Sequence, residues 1–394
     1  MALTLFGLVT LVALWNPGSA KRVNSIELSM STTDEALIYG RKNKKVKTAI
    51  KGISGILPNG DRFDRAKIHT RGDSDSESET RKSFNLTFDE PQVVFAGSSA
   101  VKKIAVLGLA EDKYLFRNLL GYRVFTRFGL FQSRFQTARL AINGSPRGMA
   151  LLVEPPELAL ARSAPDVEGI IRLVDDGFAL IDTKNSRNEA LARNTYQSLE
   201  KILGADTHEP ITPRLSRLMD VNRYLELLAV NRILRNGDYS DEILMGAVSE
   251  KGAGYFRHYS QWDLEETLAE KPHHGSSITY LGGKTSLVYS GESRLDRTIA
   301  HDCALYARYL EILSETLEVF SPEFIREVKA GVDFDLSLLK NIEVRNYYRI
   351  DITEFESERL RGFSSLSDEI RTIHEKISNH RKMIGRQCGK SSRL

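Results

Sequence analysis

Cysteine is scarce in this chain. Cys303 and Cys388 are the only two thiols in 394 residues. That excludes a small disulfide-stapled framework, and no Cys–His pair has the spacing of a zinc site. Two thiols allow one bridge. Cys303 falls in the apolar pattern of a helix, where a buried free thiol is the simpler reading. Net charge is also low: 55 Lys and Arg against 52 Asp and Glu leave +3, so no strong field favours nucleic acid as a partner. Beyond the first residues no segment has the roughly 18 continuous apolar residues of a spanning helix. No glycine-rich loop ending in Gly-Lys-Ser/Thr is present, which excludes a P-loop nucleotidase.

What is there begins with "MALTLFGLVTLVALWNPGSAKR". The apolar run from Leu3 to Trp15 is too short to span a bilayer comfortably, breaks at Asn16-Pro17-Gly18, and is followed by the small residues Ser19-Ala20. It reads as a signal peptide over 1–20, although the flank before it lacks a cation; an uncleaved anchor is the alternative. Export to the periplasm, the cell surface or the medium is therefore expected. The basic run Arg41 to Lys47 and the acidic run Asp73 to Glu79 read as solvated faces or loops.

From Val23 to Leu160 the signals are mostly β. "AKIHTRG" and "KSFNLTF" alternate at period two around the acidic loop, and "VKKIAVLGL" is a further strand. "EDKYLFRNLLGYRVFTRFG" is an amphipathic helix ending at Gly129. "FQTARLAINGSPRGMALLVE" is a hairpin around Asn143-Gly144, and "VEGIIRLV" is a strand. The second half reads as mainly helical: "NEALARNTYQSLEKILG", then "DVNRYLELLAVNRILRNG" capped by Asp220, then a helix through Leu305, Tyr309, Ile312 and Phe320, then one restarted by Ser321-Pro322. In the tail, Phe363, Leu366, Ile370, Ile373, Ile377 and Ile384 form one apolar stripe. A coiled coil could use it, but a stripe of this length more often lies on its own domain.

The acids of the second half carry the chemistry. Asn236-Gly237 breaks the capped helix, so Asp238 in "RNGDYSDE" lies on a loop anchored by a buried element, where catalytic groups are usually held. Some 25 residues on, after the strand-like "GYFRHYSQ", Asp263 follows Trp262. Phosphoryl transfer needs this layout: one carboxylate to take the proton of the attacking hydroxyl, others to hold Mg²⁺, which accepts one or two carboxylates and keeps waters. Asp238, Glu242 and Asp263 could fill these places. Asp and Gly are equally at home in plain turns.

Five pieces in order resemble the CotH kinase-like family, named for a bacterial spore-coat protein. They are "RGDSDSESETRKSFNLTF", "LFRNLLGYRVFTRFGL", "ARLAINGSPRGMALLVE", "LAVNRILRNGDYSDEILM" and "YSQWDLEET", spread over about Ile68 to Ile342. The resemblance implies an α+β, two-lobed atypical protein-kinase-like fold. Its β-rich N-lobe would span about 23–175, its helical C-lobe about 176–345, and a helical tail 346–394. It implies ATP and Mg²⁺ (or Mn²⁺) as cofactors and a protein of the envelope or coat as substrate. Asp238 would be the catalytic acid and Asp263 the metal ligand, with Glu242 or Glu265 beside it. Lys82 and Arg71 would neutralise phosphate, Glu154 would orient Lys82, and Arg172 stands where the family tends to carry Lys.

The chain departs from the family pattern at Glu265, where a second Asp is usual, and at Asp241-Glu242, near the place of an Asn. Extra carboxylates repel triphosphate when no metal is present. Two other readings therefore stand beside the kinase: an inactive fold serving as a binding module in the envelope or coat, and transfer to a glycan or small molecule. Arg71-Gly72-Asp73 lies inside the family motif, so it is not read as an adhesion tripeptide. Asn85 and Asn143 match glycosylation sequons, the latter better explained by its turn. His273-His274 lack a third ligand at suitable spacing.

Overall fold

The computed structural model describes residues 24–39, 49–71, 81–110, 112, 114–174, 177–181, 189–205, 209–272, 279–280, 284–348 and 351–391. The apolar leader, the basic and acidic runs and His273-His274 lie outside them. Among the described residues no helix is long and apolar enough to cross a membrane.

The first half closes on itself. β1 (Ser25–Ser29), β2 (Ile50–Ile56), β3 (Arg62–Thr70), β4 (Phe84–Gln92), β5 (Val101–Leu107), β6 (Phe135–Ile142) and β7 (Ser145–Val153) form a seven-stranded barrel in the order β1-β2-β3-β4-β5-β7-β6. Six of its seams are antiparallel. The closing one is parallel, with Ile26 opposite Leu140. The β6–β7 turn uses Asn143 and Gly144 at φ 50° and 77°, the left-handed pair a tight hairpin demands.

Alternation along these strands builds two cores. Ile53, Ile68, Phe84, Leu86, Ile104, Val106, Leu140 and Leu152 fill the barrel. On the other face of the same strands Ala105, Leu151 and Val153 join a second, larger core. β5 and β7 are thus buried on both sides, which explains their unbroken apolar runs "IAVL" and "MALLV".

That second core sits under α2 (Arg117–Arg127) and a four-stranded antiparallel sheet. The sheet comprises β8 (Gly169–Val174), β9 (Gly177–Ile181), β10 (Ile243–Glu250) and β11 (Ala253–Gln261), in the order β11-β10-β8-β9. Around it pack α4 (Glu189–Gly204), α6 (Val221–Leu234), α7 (Arg294–His301), α8 (Cys303–Val319) and α9 (Pro322–Asp335). The remaining helices include the short α1 (Thr32–Tyr39), α3 (Pro156–Ser163), α5 (Ile211–Leu215) and α10 (Ile342–Tyr348). Asp220 caps α6 by accepting from the Arg223 amide at 3.0 Å, and Ser321 caps α9.

The two-lobed kinase arrangement, with a β-rich N-lobe and a helical C-lobe, is overturned. A closed barrel takes the place of an open N-lobe sheet, and a four-stranded sheet stands in what was expected to be a mainly helical lobe. The physical cause is the parallel seam of β1 with β6, which leaves the barrel no open edge. The second sheet joins strands from both sides of residue 175. "GIIRLV" and "GYFRHYSQ" are the strands expected, whereas the buried "ILMGAV" is a short apolar run, which periodicity cannot tell from a piece of buried helix.

The tail is one long helix, α11 (Ile352–Ser391), laid along α8 and α6. Phe363, Leu366, Ile373, Ile377 and Ile384 are buried in the second core, so the stripe covers its own protein. A disulfide joins Cys303, the first residue of α8, to Cys388, with Cα atoms 6.1 Å apart; the simpler reading of a free Cys303 thiol is corrected. The bridge closes a loop 85 residues apart in sequence. Replacing both cysteines by serine is expected to lower the unfolding free energy by about 2–4 kcal/mol. Denaturant titration of the oxidised protein and the double variant checks this; equal midpoints would mean that the bridge adds nothing.

Candidate active site

α6 ends at Arg235, whose φ of 49° and ψ of 52° turn the chain left-handed. Asn236-Gly237-Asp238 follow. A second segment, Trp262 to Ala269, is pinned alongside by backbone hydrogen bonds: the amides of Leu268 and Ala269 donate to the carbonyls of Leu234 and Arg235 at 2.8 and 3.0 Å, and that of Gly237 to Glu266 at 3.1 Å. Gly237 permits the approach, because a Cβ there would stand 2.4 Å from a Glu266 carboxylate oxygen and 2.9 Å from Ala269 Cβ. Tyr239, next to Asp238, is anchored below. Its hydroxyl donates at 2.9 Å to Asp296, which also accepts from Tyr224 at 2.8 Å. Burial pushes the Asp296 carboxyl up to about 6.

The second sheet brings the acids together. Ile243 pairs with Gln261, so the next residues outward, Glu242 and Trp262, lie opposite each other; the Trp262 amide donates to the Glu242 carbonyl at 3.1 Å. Asp263 follows at once. On the other side of β10, Arg172 pairs with Leu244. From there its guanidinium reaches the Glu242 carboxylate and donates to the Asp241 carbonyl at 2.9 Å.

The barrel contributes the opposite wall. Arg71, at the end of β3, is tied by its amide to the Ser83 carbonyl at 2.8 Å and by its guanidinium to Asn85 Oδ1 at 3.0 Å. Its charge lies 5.1 Å from the centre of the Trp262 ring, a cation–π distance.

Burial dominates the electrostatics. It raises the Glu242 carboxyl well above the usual carboxylate range; Asp263, Asp241 and Asp238 push the same way and Arg172 opposes them. Burial likewise raises Asp263, against the pull of the Glu265 amide, Arg71 and Arg172. Asp241 Oδ1 and Glu242 Oε2 are buried without a hydrogen-bond partner among the described residues. No three His, Cys, Asp or Glu side chains among the described residues form a ready-made cation cage. The two unpartnered oxygens beside Asp263 nonetheless suit a hard cation that takes few protein carboxylates and completes its shell with water and phosphate.

Asp238, Glu242, Asp263, Arg71 and Arg172 therefore share one charged neighbourhood. Glu265 belongs to it too: its amide donates to Asp263 Oδ1 at 3.3 Å, and its charge acts on the Tyr122 hydroxyl together with those of Asp263 and Glu242. Lys82 precedes β4 beside Ser83. The ladder runs through Phe84, Val106 and Leu152, and Lys82 and Glu154 lie on opposite sides of that line. Glu154 does not orient Lys82. Its carboxylate is taken by Arg134 and Arg162, each at 2.8 Å. A buried acid keeps its charge only when paired, and the two arginines stand nearer.

Three site residues escaped sequence reading. Asn118 and Tyr122 lie one turn apart on α2. Asn118 Oδ1 accepts from the Leu264 amide at 3.1 Å, between Asp263 and Glu265; the buried Tyr122 hydroxyl, without a hydrogen-bond partner among the described residues, faces the acids. Their polar tips at i and i+4 in an otherwise apolar helix face were the available signal. Asn85 was noted only as a sequon.

A cavity of about 1030 Å³ is on the other face of the second sheet. Met245 and Leu173 line it, whereas Leu244 and Arg172 point away. It meets the charged face at Ser240 and Asp241.

Arg71 from the barrel side and Arg172 from the second sheet thus stand with buried carboxylates in one charged site. The chain matches the family described as CotH kinase protein over residues 68–384. It therefore belongs to the CotH kinase protein family, and the match carries the likeness beyond Ile342 through most of α11. None of the curated proteins compared with the chain matches it.

The raised Glu242 carboxyl has a consequence for stability. With a folded value above its unfolded one, this group favours the fold at low pH and costs stability as pH rises through the ordinary carboxylate range. Glu242→Gln is therefore expected to stabilise the protein at pH 7.5 and to lose that gain as pH falls towards 4. Urea midpoints of both proteins across that range check it; a destabilised variant at pH 7.5 would show that the Arg172 pair outweighs desolvation.

Proposed function

We propose that this chain is an exported protein kinase that moves the γ-phosphate of ATP to Ser or Thr hydroxyls of an envelope or coat protein. The observation that carries the reading is the convergence of Asp238, Asp241, Glu242 and Asp263 with Arg71 and Arg172, from a barrel on one side and a sheet on the other. Family membership supports kinase-like chemistry. The Cys303–Cys388 bridge supports an oxidising compartment, because structural disulfides are rare in the reducing cytosol.

In this reading Asp263 and the unpartnered oxygens of Glu242 and Asp241 would hold Mg²⁺ or Mn²⁺. The ion would screen phosphate charge and make the γ-phosphorus easier to attack. Arg71 and Arg172 face the phosphate oxygens, and their planar forks suit such acceptors. Asp238, on its pinned loop, takes the proton as the acceptor oxygen bonds to the γ-phosphorus and the bridging bond to ADP breaks. Lys82 is left as a supplementary cation at the barrel rim.

One observation favours a second reading, the catalytically inactive binding module. Arg172 already engages Glu242, and burial keeps that carboxyl reluctant to ionise, so metal must compete with an internal pair. Transfer of labelled phosphate from ATP with Mg²⁺ or Mn²⁺ to the protein itself or to a casein-like acceptor separates the two. Asp238→Ala is expected to lower the rate about 10²–10⁴-fold with nucleotide affinity retained, and Asp263→Ala to remove metal-dependent nucleotide binding. No transfer, and no thermal shift with ATP in the unaltered protein, would leave the binding module.

A further inference from the structure

The C-terminal helix forms one wall of a second cavity, away from the acids. From Lys376 to Leu394 the chain carries six Lys or Arg and no Asp or Glu. α11 sets part of that charge, the exposed Lys376, Lys382 and Arg386, around the rim of this space. Lys376, His380, Lys382 and Arg386 face the Thr285-Ser286-Leu287 segment across about 530 Å³, with Arg232 reaching in from α6. No carboxylate among the described residues lines this space. Its floor is deep: Arg232 and His380 are 8% exposed and Ser286 6%.

Elsewhere along α11 the arginines meet acids. Arg359 pairs with Asp333 at 2.7 Å, Arg371 with Asp368 at 2.9 Å, and Arg361 with Glu358. At the cavity the pattern changes. Glu369 balances Arg232 from outside the lining at 2.7 Å, and the Tyr306 hydroxyl meets His380 Nδ1 at 2.9 Å. No acid among the lining residues offsets Lys376, Lys382 and Arg386. Cations crowded around hydroxyl groups in a concave, partly desolvated space repel one another unless an anion joins them.

We propose that this cavity is an anion site for a phosphate-type oxyanion. The guanidinium of Arg386 and the ammonium groups of Lys376 and Lys382 supply charge-assisted donors at the rim, and the buried Arg232 and His380 lie at the floor. The volume is in the range of small-ligand sites. The site also touches the catalytic architecture, since Glu369 sits at 2.7 Å from Arg232 and 3.9 Å from Arg235, the residue that opens the Asp238 loop.

Calorimetric titration of the full chain with inorganic pyrophosphate, and separately with a phosphoserine peptide, tests this. Lys382→Glu combined with Arg386→Glu changes two exposed residues, so the fold is kept. The unaltered protein and Asp263→Ala are expected to bind alike, and the double variant at least tenfold more weakly. The tighter probe identifies the source, a free phosphate or a phosphorylated side chain. Equal binding by the double variant overturns the proposal, as does binding that Asp263→Ala abolishes, or no binding of either probe by the unaltered protein. Because ATP transfer is not the readout, the outcome is independent of the kinase reading.

Discussion

Carboxylates forced out of water against two guanidinium groups are the constraint from which the rest of this architecture follows. Each acid alone would be costly to bury. Arg172 on β8 and Arg71 just after β3 make the arrangement tolerable, and they are positioned by different sheets. The barrel and the second sheet must therefore share a core, and the outer face of β5 and β7 provides it. The packing of Ala105, Leu151 and Val153 against the helices is as necessary to the site as the charges themselves.

Rigid support surrounds the acids. The Asp238 loop is held from above by the Leu264–Ala269 backbone and from below by Tyr239 on Asp296. Buried amide side chains continue this scaffold. Asn231 donates to Gln261 at 3.3 Å, Asn236 to Asn231 at 3.0 Å, and Gln261 to the Tyr239 carbonyl at 3.2 Å. Connected polar networks of this kind restrict the geometry, although Asn236 Oδ1 is buried without a hydrogen-bond partner among the described residues. The structure holds its charges in place by hydrogen bonds to the loops that carry them.

Local features were legible in the sequence where local chemistry decides them. Asp220 and Ser321 as caps, the Asn143-Gly144 turn and the break after Arg235 all answer to nearest-neighbour rules. Asp238 and Asp263 sit in recognisable motifs and Arg71 lies in another of the family pieces, whereas Arg172 was noted only as standing where the family tends to carry Lys. What could not be read was long-range pairing. Nothing in "SIELS" announces a parallel partner more than a hundred residues away, yet that seam converts an open sheet into a barrel. The partner of Glu154 was misassigned for a similar reason: strand order and register decide which cation is near, and Arg134 and Arg162 won. Asn118 and Tyr122 were overlooked because a polar atom on an apolar helix face gains meaning only when its neighbour is known.

The seam between the first and sixth strands also orders events during synthesis. Ser25–Ser29 leaves the ribosome early but has no partner on one side until Phe135–Ile142 has followed. For the length of more than a hundred residues its hydrogen-bonding edge stays open, available to any passing strand of another chain. A holdase that covers this edge until β6 arrives would then guard the step at which the barrel is either completed or lost to aggregation.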